Sequence, residues 1–426
     1  MSTIFALSSG ALPAALAVFR ISGPRSKEAL LQMSKKKIWK PRYMHYTKIY
    51  DIRGEMFDSA MAVYLPGPRT FTGEDTAEVF LHGSTAIVDR MNETLSSLPG
   101  LRHASAGEFT KRALVNGKLN VHEMNALGAL LQSTTPRQLE QATRALSDGD
   151  WLHRRITLIR AKLAVFADFG EDVQSDPKEI RKDIEDLLIE IKEKRRKGIG
   201  GERVRKGMRI VMVGKPNAGK SSLFNRLCGI ERAIVSSVPG TTRDSLDINR
   251  VIGGINVTIV DTAGIRDSLD MNPIEKDGIK RTFKLMNEAD LILAVIDSSS
   301  EDRDILSLIP PHIPRIEIFN KADLIPNIPP TGQFPVKMYT IATAPTGCDS
   351  LEKKLEETIL ELCPHNSELT LSAGIAEVEK LVEECLSHDD IGLVNEILQM
   401  ASEAWGKSET NEELLNNILK NFCIGK

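Results

Sequence analysis

Two different spacings of apolar residues divide this chain. Up to about residue 116, short β-type runs such as LAVFRI (16–21) and MAVYL (61–65) stand between Gly, Pro and Ser. That pattern predicts an α+β region, and LPGP (65–68) marks a turn within it. From about 119 to 195 the spacing lengthens to three and four residues. Val121, Met124, Leu127, Leu130 and Leu131 form one stripe, and Ile156, Ile159, Leu163 and Phe166 form another. Both are signatures of amphipathic helices. KEKRRKGIGGERVRKG (192–207) is basic and then glycine-rich, which predicts the end of a helix followed by a linker.

Residues 208–364 alternate helical patterns with the short apolar runs RIVMV, VTIV, LILAVI and IEIF. Such runs fit strands buried on both faces of a mostly parallel sheet. Residues 370–426 return to helical spacing, with Leu414, Leu415, Ile418, Leu419 and Phe422 on one stripe read as core. Helices on both sides of the α/β segment place a nucleotide-binding domain inside a helical one. No internal repeat is present.

Length and composition narrow the class. The 426 residues exceed the roughly 250–300 at which a single core stops growing, so two or three domains are expected. A net charge of −3 gives no global pull toward nucleic acid, and the basic run 192–206 reads as a solvated helix end before it reads as an RNA contact. Five scattered cysteines (Cys228, Cys348, Cys363, Cys385, Cys423) show no C-x-x-C pair, which suits a reducing compartment and neither disulfides nor zinc. The N-terminus lacks a basic signal-peptide start, and no stretch reaches 18 uninterrupted apolar residues. A cytoplasmic, non-membrane protein is expected.

The candidate chemistry lies in the α/β segment. RIVMVGKPNAGKSS (209–222) is a strand followed by G-x-x-x-x-G-K-S. Gly214 and Gly219 let backbone N–H groups wrap phosphates, Lys220 reaches the β/γ-phosphates, and Ser221 offers a hydroxyl to Mg²⁺. DTAG (261–264) follows VTIV, so Asp261 can hold Mg²⁺ through water and the Gly264 N–H can meet a γ-phosphate. NKAD (320–323) follows IEIF. Asp323 can accept two hydrogen bonds from the guanine N1–H and 2-amino group, which adenine lacks. Buried pairing of that kind discriminates by roughly 10⁴–10⁵. Asn320 and Lys321 support that loop. TAPTG (343–347) is a weak form of the last guanine loop. In SSVPGTTRD (236–244), Thr242 is the candidate switch hydroxyl for Mg²⁺. Ile265 follows DTAG where Ras-type GTPases carry the water-orienting Gln, so another group must orient water. Asn217, a candidate ligand for a monovalent cation, and Glu275 are available.

Together with two N-terminal stretches these residues resemble the tRNA-modification GTPase family MnmE (TrmE). GKPNAGKSS, VPGTTRD, DTAGIRD and NKAD are similar to its G motifs. FTGEDTAEVFLHG (71–83) and AGEFTKRALVNGKLN (106–120) are similar to its N-terminal signatures, and FCIGK (422–426) to its C-terminus. SSGALPAALA (8–17) stands where the family has a Pro-Pro-Gly-Arg-Gly-type stretch.

The resemblance implies an α/β P-loop GTPase domain (206–365) inserted into an all-α helical domain (118–205 and 366–426). An α+β folate-binding, aminomethyltransferase-like domain that dimerises (1–117) precedes both. It implies nucleotide contacts from Asn217, Ala218, Gly219, Lys220, Ser221 and Ser222, then from Ser236, Ser237, Val238, Pro239, Gly240, Thr241 and Thr242. Further contacts come from Asp261, Thr262, Ala263 and Gly264, and from Asn320, Lys321 and Asp323. Mg²⁺ falls to Ser221 and Thr242, and K⁺ to Asn217, Ser236, Val238 and Thr241. Lys220, Thr242 and Glu275 take the catalytic positions, Glu275 orienting water. Arg20, Glu78, Lys118 and Lys426 fall on positions that bind a 5,10-methylene- or 5-formyl-tetrahydrofolate. The implied partners are GTP and GDP, tRNA, a second copy of the chain, and the flavoprotein MnmG in a heterotetramer. The implied reaction is K⁺-dependent GTP hydrolysis coupled to aminomethyl or carboxymethylaminomethyl modification at C5 of the wobble uridine. Two alternatives stay open on the G motifs: a ribosome-assembly GTPase switch, and a folate-binding scaffold with a degenerate G domain.

Overall fold

The computed structural model describes residues 2–148, 151–169, 177–229, 246–262, 282–300, 304–326, 336–369, 372–407 and 425. The chain divides into two compact units. The first comprises Met1–Gln132, Ala142–Ile191 and Ala373–Lys426; the second comprises Ser133–Gln141 and Lys192–Ser372.

In the first unit, β1 (Thr3–Leu7), β2 (Ala14–Ser22), β3 (His45–Tyr50), β4 (Met56–Leu65), β5 (Thr76–Gly83) and β6 (Leu101–His103) form one sheet of order β3-β4-β5-β2-β1-β6. Alternation along the strands sorts the two faces. Ala17, Phe19 and Ile21 of β2 and Ala77, Val79 and Leu81 of β5 point inward, with Leu30 and Met33 of α1 (Ser26–Ser34) and Met91 and Leu95 of α2 (Thr85–Ser97) in the same core. The intervening residues of β2 and β5 (Arg20, Val18 and Leu16; Glu78, Phe80 and His82) are half-buried to exposed on the other face. Helix α3 (Glu108–Val115) supplies Phe109 to a smaller core with Ile4, Ala6 and Ala104.

Helices α4 (Val121–Gln132) and α5 (Pro136–Asp148) are followed by α6 (Trp151–Phe169) and the long α7 (Pro177–Lys206). The expected stripe on α6 buries Ile156, Ile159 and Leu163 against Ile180, Ile184 and Leu187 of α7 and against Val378, Val382 and Leu398. In α4, Val121 and Met124 are buried but Leu131 is exposed.

The second unit is a sheet of order β12-β11-β10-β7-β9-β8. Its strands are β7 (Met208–Gly214), β8 (Leu246–Ile252), β9 (Ile255–Asp261), β10 (Leu291–Asp297), β11 (Arg315–Asn320) and β12 (Val336–Thr340). All neighbours are parallel except β8 and β9. Helices α8 (Lys220–Cys228), α9 (Asp304–Ser307) and α10 (Asp349–Leu362) also belong to this unit; α11 (Ser372–Cys385) and α12 (Ile391–Lys407) follow in sequence. The strands read as unbroken apolar runs because both faces are covered: Ile210 and Met212 enter one core, and Val211 and Val213 enter the other.

The expected linker after residue 197 is instead helix. Helix α7 continues through Gly200 and Gly201 to Lys206. A Cβ at Gly201 would collide with the carbonyl oxygen of Glu368, and one at Gly200 would come within 2.6 Å of Ser367 Oγ. The glycines therefore let another segment pack against the helix, which outweighs their intrinsic cost of roughly 0.5–1 kcal/mol each. The basic run around them is paired. Lys194 and Lys197 meet Glu368, Arg203 meets Asp290, and Arg205 and Lys206 meet Glu202. The 414–422 stripe lies outside the described residues. Among the described residues no helix is long and apolar enough to cross a membrane.

Candidate functional site

The phosphate-loop residues lie where central strand β7 meets α8. Asn217 and Gly219 both take the left-handed backbone conformation, at φ 63° and 88°, which turns the chain sharply into the helix. Lys220 is 5% exposed and its Nζ donates to the Lys215 carbonyl at 2.9 Å, across the loop. Ala218 is buried, whereas the side chains of Asn217, Ser221 and Ser222 are exposed at the helix start. A helix N-terminus carrying a lysine and hydroxyls is a ready anion site.

Asp261 ends β9 opposite Met212 of β7 and is fully buried. Thr262 follows and donates from Oγ1 to the Met212 carbonyl at 2.8 Å. Ser221 and Asp261 thus supply hard oxygen donors, the set that suits Mg²⁺.

The NKAD residues close the other side. Asn320 is 2% exposed. Its Nδ2 donates to the Ala218 carbonyl at 3.1 Å, and its Oδ1 accepts from Thr340 Oγ1 at 3.1 Å and Ala342 N–H at 3.2 Å. One amide therefore joins the phosphate loop, NKAD and the start of the 343–347 loop. A Cβ at Gly219 would collide with Asn320 Nδ2, so only glycine admits this approach. Lys321 also has positive φ, and its Nζ donates to Asp297 Oδ2 at 2.7 Å. Burial alone would raise the Asp297 pKa, but the hydrogen bonds from Lys321 and Ser299 outweigh it and hold the carboxyl below its ordinary range. Asp323 lies in the one-turn helix Ala322–Leu324 and is exposed. Sequence reasoning missed Thr340 and Asp297, the partners of Asn320 and Lys321.

Several expected residues lie outside the described ones: Ser236, Ser237, Val238, Pro239, Gly240, Thr241, Thr242, Ala263, Gly264, Glu275, Cys423 and Lys426.

In the first unit, Arg20 Nε donates to Glu78 Oε1 at 2.9 Å across the β2–β5 ladder. The guanidinium carbon of Arg20 lies 5.7 Å from the centre of the Phe71 ring and 5.9 Å from that of Phe109, within cation–π range. Neither ring was foreseen. Lys118 is exposed and runs beside Gly73, whose added Cβ would come within 3.1 Å of Lys118 Cε. Gly425, next to the last residue, accepts a hydrogen bond from Ser8 Oγ at 3.1 Å, and Ser8 N–H donates to the Val18 carbonyl at 2.7 Å. The tail thus comes to the sheet two residues along β2 from Arg20.

The cysteines that are described in full, Cys348, Cys363 and Cys385, are buried and free. Burial raises the Cys348 thiol and pushes Cys363 and Cys385 to about 11 and about 12, leaving them unreactive.

Comparison with known proteins bears on both regions. The family model described as "GTP-binding protein TrmE N-terminus" matches residues 3–118, and the one described as "50S ribosome-binding GTPase" matches residues 209–321. The chain is 34% identical to the tRNA modification GTPase MnmE of Zymomonas mobilis, with 100% of both chains covered. It is 35% identical to that of Hyphomonas neptunium, covering 100% of this chain and 99% of the relative. For the Chelativorans relative the figures are 36%, 100% and 98%. With a phosphate loop, a buried Asp261 and the Asn320 bridge all in the matched GTPase region, and with relatives this similar from end to end, the chain belongs to the tRNA modification GTPase MnmE (TrmE) family.

Proposed function

We propose that this chain is a GTPase that hydrolyses GTP to GDP and phosphate in a K⁺-dependent manner. With the flavoprotein MnmG it installs an aminomethyl or carboxymethylaminomethyl group at C5 of the wobble uridine of certain tRNAs. The observation that supports the nucleotide half is the Asn320 bridge, which ties the NKAD segment to the phosphate loop. The tRNA half rests on family membership over the whole chain.

Lys220 leaves the Lys215 carbonyl to meet the β/γ-phosphate oxygens, and the N–H groups at the start of α8 face the same charge. Mg²⁺, when bound by Ser221 and Thr242 with Asp261 behind it, neutralises phosphate charge. Asp323 selects guanine by accepting from N1–H and the 2-amino group. Glu275 orients the attacking water. Asn217, Ser236, Val238 and Thr241 bind K⁺. Arg20, Glu78, Lys118 and Lys426 hold a reduced folate, the pterin pairing with a carboxylate and the acidic tail with cations.

We place the folate-binding, dimerising domain at 1–117, the GTPase domain at 206–365, and the helical domain at 118–205 and 366–426. The protein acts in the cytoplasm as a homodimer. The likeness of residues 209–321 to a 50S ribosome-binding GTPase family favours a ribosome-assembly switch as a second reading; the N-terminal match and the full-length relatives favour tRNA modification. Two measurements decide. GTP turnover should rise sharply in KCl over NaCl, and equal rates would refute the cation assignment. Mass spectrometry of tRNA wobble nucleosides from a deletion strain should show unmodified uridine, and an unchanged profile would refute the pathway.

A further inference from the structure

The outer face of the first sheet carries a polar–apolar–polar strip. Along the β2–β5 ladder, Arg20 faces Glu78, Val18 faces Phe80, and Leu16 faces His82. Glu78 and His82 are four residues apart on one strand, which is about 13 Å. The ion pair of Arg20 and Glu78 marks one end, half-buried Val18 and Phe80 form the middle, and an exposed imidazole marks the other end.

That imidazole is held in place. The Asp58 side chain is 6% exposed, while that of His82 is 70% exposed. Asp58 Oδ1 pairs with His82 Nδ1 at 2.7 Å and accepts from Ser59 N–H at 2.7 Å; Oδ2 accepts from His82 N–H at 2.9 Å. A carboxylate that only accepts puts the proton on Nδ1 and turns Nε2 outward. An Nε2–H in that position would donate to an anionic ligand. Asp58, the third residue of β4, thus bonds both to backbone N–H groups and to a surface histidine four residues along β5 from Glu78.

We propose that His82 contacts the acidic tail of the reduced folate, the pterin lying at Glu78 and Arg20 and the aminobenzoyl ring crossing Val18 and Phe80. This rests on the reading of Arg20 and Glu78 as a folate site. Asp58 acts as the positioning residue behind His82. The strip fits that class of ligand in order and length: a heterocycle with hydrogen-bond donors, a flat aromatic middle, and a carboxylate end.

The test is titration calorimetry on the full chain with two probes, 5-formyltetrahydrofolate and the same molecule lacking its glutamate. His82→Ala should weaken the complete ligand by about tenfold to a hundredfold, the loss of one charge-assisted hydrogen bond, and leave the truncated one unchanged. Asp58→Asn should weaken the complete ligand by a smaller factor, and His82→Arg should recover part of the loss. Equal losses for both probes, whether through misfolding or altered dimerisation, would overturn the assignment, as would no loss for either. Glu78→Gln separates the two levels. If it weakens both probes while His82→Ala weakens neither, the histidine proposal fails alone; if it weakens neither, the folate reading itself fails.

Discussion

Replacing Asn320 by alanine should damage both the fold of the second unit and its nucleotide affinity. The side chain is 2% exposed and makes three hydrogen bonds, to Ala218, Thr340 and Ala342. Alanine deletes all three and leaves behind a Thr340 hydroxyl in a residue that is 1% exposed and a carbonyl on Ala218, which is 2% exposed. An unsatisfied buried group costs about 1–3 kcal/mol. Water entering the vacated space recovers part of this, so a net loss of about 2–4 kcal/mol is expected. Affinity for GDP should fall by roughly a hundredfold, because the loops that hold phosphate and base lose their common anchor. Asp323→Asn is the contrast. Asp323 is exposed, so its replacement should leave stability within about 0.5 kcal/mol. It should nevertheless reverse base choice: an amide N–H opposes the donors of guanine but suits the C2 carbonyl of xanthine. Denaturant unfolding, with calorimetric titration of GDP and XDP, measures both effects. An Asn320→Ala protein that unfolds at the wild-type midpoint and binds GDP equally well would refute the bridging role.

Gly201→Val should destabilise the second unit by about 1–3 kcal/mol through collision with the Glu368 carbonyl. Ile199→Ala, at a site 62% exposed in the same helix, should change the unfolding midpoint little. Gln138→Leu should cost about 2–3 kcal/mol in the same assay. Its Nε2 caps the carbonyls of Val204 and Arg205 at 3.2 and 3.0 Å, and its Oε1 accepts from the N–H groups of Thr134 and Thr135 at 2.9 and 3.2 Å. Burial would raise the Glu108 pKa, but hydrogen bonds from Arg102, the Ser105 N–H and Arg112 outweigh it and lower the carboxyl to about 2. Because the folded value lies below the unfolded one, this stabilisation is complete above about pH 4.5 and is lost as pH falls toward 2. Screening by solvent at Arg102, whose side chain is 48% exposed, cuts this to about 1–2 kcal/mol, and Glu108→Gln should flatten the acid limb of the stability curve over that window.

How much of this was legible depends on where each residue's partner lies. The strands of the second unit were legible because both sides of the sheet are covered, so RIVMV and LILAVI carry their burial in their own composition. The helix through Gly200 and Gly201 was not. The cost of two glycines is visible locally, while the Glu368 and Ser367 atoms that require them come from more than 160 positions later. The site divides in the same way. Lys220, Asp261 and Asp323 stand in contiguous motifs, so each is picked out by its immediate neighbours in the chain. Thr340 and Asp297 stand in no motif. They meet Asn320 and Lys321 because the parallel ladder sets Asp297 opposite Asn320 and Asn320 opposite Thr340. Phe71 and Phe109 reach Arg20 only once the first sheet and α3 have assembled. The unread residues are therefore ladder neighbours and packing neighbours of the readable ones. His82, at the far end of the strand that carries Glu78, is placed by the same geometry, since strand register fixes what lies beside a motif when the motif does not.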